Sequence, residues 1–208
     1  MNAGTEVVVA RTGVANLAAV VAALRRAGAR PVLSDRAGDV RDAGAVVLPG
    51  VGSFAAGMRA LVDTGLDLAL RDRVRDGRPT LAICLGMQLL GLASAESPGV
   101  EGVGAVDARY ARFAGEIRVP QIGWNAVVAP PEARILANGD AYFANSFRLD
   151  RAPDGWTAAW SGHGGSFVAA LERGAVVACQ FHPELSGAFG AGIVERWIAA
   201  ARREVCAC

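Results

Sequence analysis

Four short apolar runs, at residues 7–10, 31–34, 45–48 and 79–83, recur through the first part of the chain with helix-patterned stretches between them. They are rich in Val, Ala, Leu and Ile and show little polar alternation, as expected of strands buried on both faces. Residues 16–27 read as a helix ending at Gly28. Helical pattern resumes from 55 to 75 with a break near Gly65, and Arg71, Arg73 and Arg75 are expected on solvated faces. Residues 87–92 open the helix after the fourth run. This β-α-β-α alternation predicts an α/β fold whose mainly parallel central sheet is flanked by helices on both faces.

After about residue 100 the texture changes. Strand-like runs at 126–128, 141–143, 156–160 and 167–171 alternate with Gly, Pro and Asn turns. A final apolar strand is expected at 176–181 and a closing helix at 193–203. No Pro- or Ser-rich linker separates the halves, so the second half reads as antiparallel elements added onto one sheet, and residues 1–208 as a single domain. A chain of 208 residues buries enough surface to need no metal or disulfide staple. Lys and Arg total 21 against 20 for Asp and Glu, which leaves no electrostatic footprint for nucleic acid or an anionic membrane. The apolar stretches are too short to cross a bilayer, and Val7-Val8-Val9-Ala10 meets Arg11 at once, unlike a signal-peptide core. A cytoplasmic protein is the expectation. The cysteines, at 84, 179, 206 and 208, form no regular framework, and two histidines argue against a zinc site of mixed ligands, so no metal or other cofactor is expected.

The segment Ala82-Ile83-Cys84-Leu85-Gly86-Met87-Gln88 places one cysteine where a buried strand turns into a helix. Small residues stand two positions away on each side, Ala82 and Gly86, which is the steric demand of a nucleophile elbow. A helix start beside the sulfur favours negative charge there. The Leu85 N–H becomes a candidate oxyanion donor. Taken alone, Cys84 could equally be a small buried hydrophobe. Cys179 lies within an apolar run and reads as core, and Cys206 and Cys208 as part of a mobile tail.

A base is offered by Cys179-Gln180-Phe181-His182-Pro183-Glu184. In an extended segment, residues two apart project to the same side, so His182 and Glu184 can point together. A carboxylate beside an imidazole fixes its tautomer and supports the imidazolium formed on proton abstraction. The competing view is a surface turn with an incidental His–Glu pair. The other histidine, His163, sits in the glycine-rich Ser161-Gly162-His163-Gly164-Gly165 with nothing nearby in sequence to fix its ring.

Pro49-Gly50-Val51-Gly52 follows the third strand, and its glycines allow backbone N–H groups, those of Val51 and Gly52, to approach an oxyanion. A phosphate cradle is the rival, but the loop lacks the longer glycine fingerprint and the lysine of a P-loop. Gln88, one helical turn after Cys84, is placed to hydrogen-bond the polar end of a substrate, unless it is an ordinary exposed glutamine.

Together these segments resemble the class I, triad-type glutamine amidotransferases, and within them the glutaminase subunits of imidazole glycerol phosphate synthases. The resemblance runs through Leu48-Pro49-Gly50-Val51-Gly52-Ser53-Phe54, Ile83-Cys84-Leu85-Gly86-Met87-Gln88, Pro120-Gln121-Ile122-Gly123-Trp124-Asn125, Tyr142-Phe143 and Gln180-Phe181-His182-Pro183-Glu184. It implies a flavodoxin-like glutaminase domain with a Cys84–His182–Glu184 triad that forms a thioester on glutamine and releases ammonia. It further implies an oxyanion hole from Val51, Gly52 and Leu85, and substrate contacts from Gly50, Gln88, Asn145, Ser146 and Phe147. The implied partner is a (β/α)₈-barrel cyclase, joined as a heterodimer, that receives the ammonia in histidine biosynthesis. Several positions depart from the family pattern. Arg11-Thr12-Gly13-Val14-Ala15-Asn16 replaces an Asp-Tyr-Gly-x-Gly-Asn turn, Gln121 and Asn145 stand where histidines are usual, and Leu185 replaces a lysine. None touches the triad. They leave open a paralogue that supplies ammonia to a different synthase, and, as a third reading, a non-catalytic regulatory subunit.

Overall fold

A computed structural model of the chain describes residues 4–13 and 16–207. Five strands run parallel: β1 (Thr5–Ala10), β2 (Ala29–Ser34), β3 (Val46–Leu48), β4 (Thr80–Ile83) and β12 (Val176–Cys179). Two antiparallel strands, β10 (Thr157–Gly162) and β11 (Ser166–Arg173), complete a seven-stranded sheet of order β10-β11-β12-β4-β3-β1-β2. Strand alternation divides the core into two layers. Val7, Val9, Val47, Leu81, Ile83 and Val177 pack with Val20 and Leu24 of α1 (Leu17–Arg26) and Ile193, Trp197 and Ile198 of α6 (Gly187–Ala207). On the other face Val8, Val46, Leu48, Ala82 and Ala178 meet Phe54, Met58 and Leu61 of α3 (Phe54–Thr64) and Leu66, Leu70 and Val74 of α4 (Leu66–Arg75). Each fully buried Val, Leu or Phe side chain contributes roughly 1.5–3 kcal/mol, so both faces are needed to hold the sheet. The helix break falls at Gly65, which takes φ +68° between α3 and α4. Among the described residues no helix is long and apolar enough to cross a membrane. Cys208 and the side chain of Cys206 lie outside the described residues, as do Val14 and Ala15 of the departed N-terminal turn.

Several local expectations change. Arg73 is only 1% exposed. Its guanidinium donates to the carbonyls of Val40, Arg41, Ala43 and Pro79 at 3.1, 3.3, 2.6 and 2.8 Å. It thereby ties the end of α2 (Ala37–Asp42), a short helix with no clear signature in the sequence, to the entry of β4. Burial, and secondarily the neighbouring Arg78 charge, lowers its pKa to about 9. Arg71 and Arg75 remain exposed, as expected.

The helix after β4 is α5 (Leu85–Leu89), which starts earlier and ends sooner than expected. A distant loop takes the carbonyls that a further turn would use: Val103 N–H donates to Leu89 at 2.8 Å, and Ala105 and Val106 both donate to Leu90 at 3.0 Å. Of the strands in the second half, β10, β11 and β12 join the main sheet. β7 (Gln121–Val127) and β8 (Gly139–Asn145) form a separate antiparallel ribbon, linked to β10 by the isolated Val128–Trp160 bridge. β5 (Ala93–Ser94), β6 (Arg109–Arg112) and β9 (Phe147–Arg148) form a third small sheet. The ribbon is pinned near the end of β12. His182 N–H donates to the Tyr142 carbonyl at 2.9 Å, and Tyr142 N–H donates to Ser186 Oγ at 3.0 Å.

Candidate active site

Cys84 follows β4 at φ 53° and ψ −111°, the one non-glycine residue with positive φ among those described. Such a conformation costs about 1–3 kcal/mol and persists only where the surroundings impose it. Here the Cys84 N–H is held by the Cys179 carbonyl at 2.7 Å. Gly86 is required by contact, since a Cβ there would stand 2.1 Å from the Leu48 carbonyl oxygen. Gly50 is equally confined, its Cβ position falling 2.8 Å from the Gly86 nitrogen. The Pro49–Gly52 loop therefore lies directly on the start of α5. In this arrangement the Leu85 N–H donates to the Gly50 carbonyl at 3.3 Å, so that amide is engaged within the chain.

His182 and Glu184 meet as anticipated, by a different local geometry. Strand β12 ends at Cys179, Gln180 and Phe181 bend, and after His182 Pro183–Leu185 is a single 3₁₀ turn with proline in its first position. Proline's fixed φ suits that position, and the turn curls the carboxylate back to the ring. His182 Nδ1 donates to Glu184 Oε1 at 2.8 Å, with side chains 7% and 4% exposed. Burial by itself would lower the His182 pKa. The hydrogen bonds and negative charge of Cys84 and Glu184 outweigh it and raise the value to about 10. The ring is thus held between a thiol on one side and a carboxylate on the other. His163 is fixed as well, contrary to expectation. Its Nε2 donates to the Arg118 carbonyl at 2.8 Å and its ring packs edge-on against Phe113, outside this site.

A pocket of about 240 Å³ opens over Cys84 and His182. Its wall contains Val51, Gly52, Leu85, Gln88, Asn145, Ser146 and Phe147, but not Gly50 or Glu184. Gln88 is 5% exposed and not an ordinary surface glutamine, since its Nε2 donates to Gln180 Oε1 at 2.9 Å. Asn145 donates from Nδ2 to the Phe147 carbonyl at 3.0 Å, and its buried Oδ1 has no protein partner. Gln121 is its direct cross-strand neighbour and is also buried, with both amide atoms unpartnered.

Two residues of the site have no role assigned from the sequence. Glu96 lines the pocket while its Oε2 accepts the Phe54 N–H at 2.6 Å, capping α3 from a polar loop. Gln180 approaches the sulfur, its Nε2 lying 3.7 Å from Cys84 Sγ. Their spacing from Cys84 marks neither. Among the described residues no group of three or more His, Cys, Asp or Glu side chains is placed to hold a metal.

The arrangement is that of a thiol nucleophile, a base with its orienting carboxylate, and a small polar pocket. Comparisons with known proteins agree with it. The family model "Glutamine amidotransferase class-I" matches residues 17–199. The imidazole glycerol phosphate synthase subunit HisH of Symbiobacterium thermophilum is 37% identical over 92% of this chain and 92% of its own. That of Deinococcus radiodurans is 38% identical over 99% and 96%. Among solved structures, a glutamine amidotransferase superposes with a TM-score of 0.76 at 19% identity, covering 94% of this chain and 98% of that one. A putative GMP synthase component from Thermoplasma acidophilum superposes at 0.73 and 18%, covering both chains fully. These two structures speak for the fold. The chain belongs to the class I glutamine amidotransferases. Within that class it falls in the family of HisH subunits of imidazole glycerol phosphate synthase.

Proposed function

We propose that the whole chain acts as the glutaminase subunit of an imidazole glycerol phosphate synthase, working in the cytoplasm. Cys84 Sγ attacks the side-chain amide carbon of glutamine, and the carbonyl oxygen becomes an oxyanion. The C–N bond breaks as His182 gives its proton to the leaving nitrogen, releasing ammonia and leaving a thioester on Cys84. A water molecule, deprotonated by His182, then attacks the thioester, and glutamate departs with the sulfur restored. Glu184 keeps Nδ1 protonated so that the other ring nitrogen serves the sulfur. Glu96, the carboxylate in the pocket wall, receives the substrate's α-ammonium, while Gln88 and the Asn145–Phe147 segment frame the rest. The observation that carries this reading is a strained Cys84 sharing one pocket with a His182 already bonded to a carboxylate.

The oxyanion donors are assigned to the amides of Val51, Gly52 and Leu85. Because the Gly50 carbonyl holds the Leu85 amide here, this donor serves only after the 49–52 loop turns away. Docking of a (β/α)₈-barrel cyclase, as a heterodimer with an ammonia passage between the two chains, is the event proposed to turn it. Glutamate release on glutamine should vanish in Cys84→Ala while the circular dichroism spectrum is kept. Continued hydrolysis would remove the reading. Exposed Leu185, apolar where the family pattern has lysine, favours a second version in which ammonia goes to a different synthase. Stimulation by a histidine-pathway cyclase with its ribonucleotide supports the first version, and none supports the second.

A further inference from the structure

We infer that Gln180 is a second hydrogen-bond donor to the nucleophilic sulfur, and that Gln88 is the positioning residue that aims it. The inference rests on the reading of Cys84 as the nucleophile. Gln180 is 1% exposed, and its backbone N–H is held by the Ala169 carbonyl at 2.8 Å, which continues the pairing of β11 past the end of β12. It stands two residues before His182, whose ring lines the same pocket as the sulfur that the Gln180 amide approaches. The ring and the amide thus converge on one sulfur.

A primary amide has an acceptor end and a donor end. Gln88 Nε2 donates to the acceptor end at 2.9 Å, and this forces the donor end towards Cys84 Sγ at 3.7 Å. Gln88 itself stands one helical turn beyond Cys84 on α5, so the same strand-to-helix turn that presents the sulfur also presents the residue that orients its donor. The chain of contacts runs Gln88 to Gln180 to Cys84, all three residues being buried.

Such a bond discriminates between forms of the sulfur. A thiolate is a far better acceptor than a thiol or a thioester sulfur, because a charged partner strengthens a hydrogen bond about twofold. The amide therefore favours the sulfur before attack and again as it leaves the thioester. His182 cannot supply this constantly, since its proton travels to the departing ammonia. Gln180 does not titrate, and its donor stays in place through both halves of the reaction.

The test is alkylation of the full-length chain with iodoacetamide, read by mass spectrometry on the peptide holding Cys84, together with steady-state glutamine hydrolysis. In Gln180→Met the alkylation rate at neutral pH should fall on the order of tenfold, the effect of losing one charge-assisted hydrogen bond. The acid limb of its pH profile should move to higher pH. The turnover number should fall while the KM for glutamine stays within about twofold, as for an interaction with the reacting atom alone. Gln180→Glu, which sets an acceptor against the sulfur, should fall further. A packing role would leave the acid limb where it is, and an unmoved limb in Gln180→Met overturns the inference. Should that variant not fold, Gln88→Met reads the same limb, where a smaller upward displacement supports the orienting role and none overturns it. Persistent hydrolysis in Cys84→Ala would instead defeat the glutaminase reading itself.

Discussion

Strands β4 and β12 lie side by side in parallel register, from Thr80 against Val176 to Ile83 against Cys179, and every residue of both is buried. Each leads to a cysteine, yet the two thiols have opposite fates. Beyond β12 the backbone bends at Gln180 and Phe181 but stays tied to its neighbours, Gln180 N–H by Ala169 and His182 N–H by Tyr142. Cys179 is left inside the sheet at 0% exposure, where burial first, and the Glu184 and Glu172 charges next, push its thiol upward. Beyond β4 a single further bond, from Cys84 N–H to the Cys179 carbonyl at 2.7 Å, ends the ladder. The chain turns through a strained residue into α5, and Cys84 stands in the wall of the pocket. Reactivity is assigned by the path of the backbone past the strand end, since two strands of the same length and burial yield one inert thiol and one accessible thiol.

The largest expected effect separates the two cysteines directly. Cys84→Ala should lower glutamine turnover by at least about 10⁴-fold, as removal of a nucleophile does. Cys179→Ala should retain turnover and lose roughly 1–2 kcal/mol in urea denaturation, the consequence of a small cavity. Comparable loss of activity in both variants would break the contrast.

The turns at the two strands can be compared next. Gly86→Ala drives a Cβ into the Leu48 carbonyl and should destabilise by about 3 kcal/mol or prevent folding. Gly174→Ala, at the open turn leading into β12 with φ +59°, should cost about 1 kcal/mol from backbone strain alone. Equal thermal midpoints in the two variants would show that contact at the elbow is not what confines Gly86. The entry of β4 has its own anchor. Arg73→Met removes the buried donor shared by the Val40, Ala43 and Pro79 carbonyls, and should cost about 2–3 kcal/mol by chemical denaturation, with a glutamine KM close to the parent's.

The smallest effect concerns pH. His182 has a folded pKa raised from 6.5 to about 10, so the stability it contributes is complete below 6.5 and is lost as pH rises through 10. Glu184→Gln removes one of the raising influences and should bring the ring's titration down by about one unit or more, followed by NMR of the imidazole carbons. With Cys84→Ala added, burial alone remains and the ring should stay neutral at pH 7. A ring still titrating near its parent value would show that neither partner sustains the raised pKa.

Much of this arrangement is legible in the chain. The parallel half follows from apolar runs of strand length, and the break at Gly65 from a residue that tolerates positive φ. The three central site residues follow from a cysteine flanked by small residues and from His-Pro-Glu. Other features are hidden for identifiable reasons. α5 stops at Leu89 because residues 103–106 cap it from far along the chain. Arg73 looks like any surface arginine until α2 supplies carbonyls in need of a donor. The β7–β8 ribbon reads in sequence as part of the main sheet and stands apart from it, because pairing partners of antiparallel strands are chosen by packing and not by composition.

Local chemistry by itself determined the strand and helix periods and the reach of Glu184 to His182 across one proline. Those depend on neighbours a few bonds away. Which amide faces the sulfur was decided only by the folded molecule, because Gln180 and Cys84 stand 96 residues apart and meet through the pairing of β4 with β12. The same holds for Glu96, delivered to the pocket by a loop whose position depends on its cap over α3. A contact made by the ends of long side chains across a sheet leaves no periodic trace, since it needs one position from each strand and constrains nothing beside them.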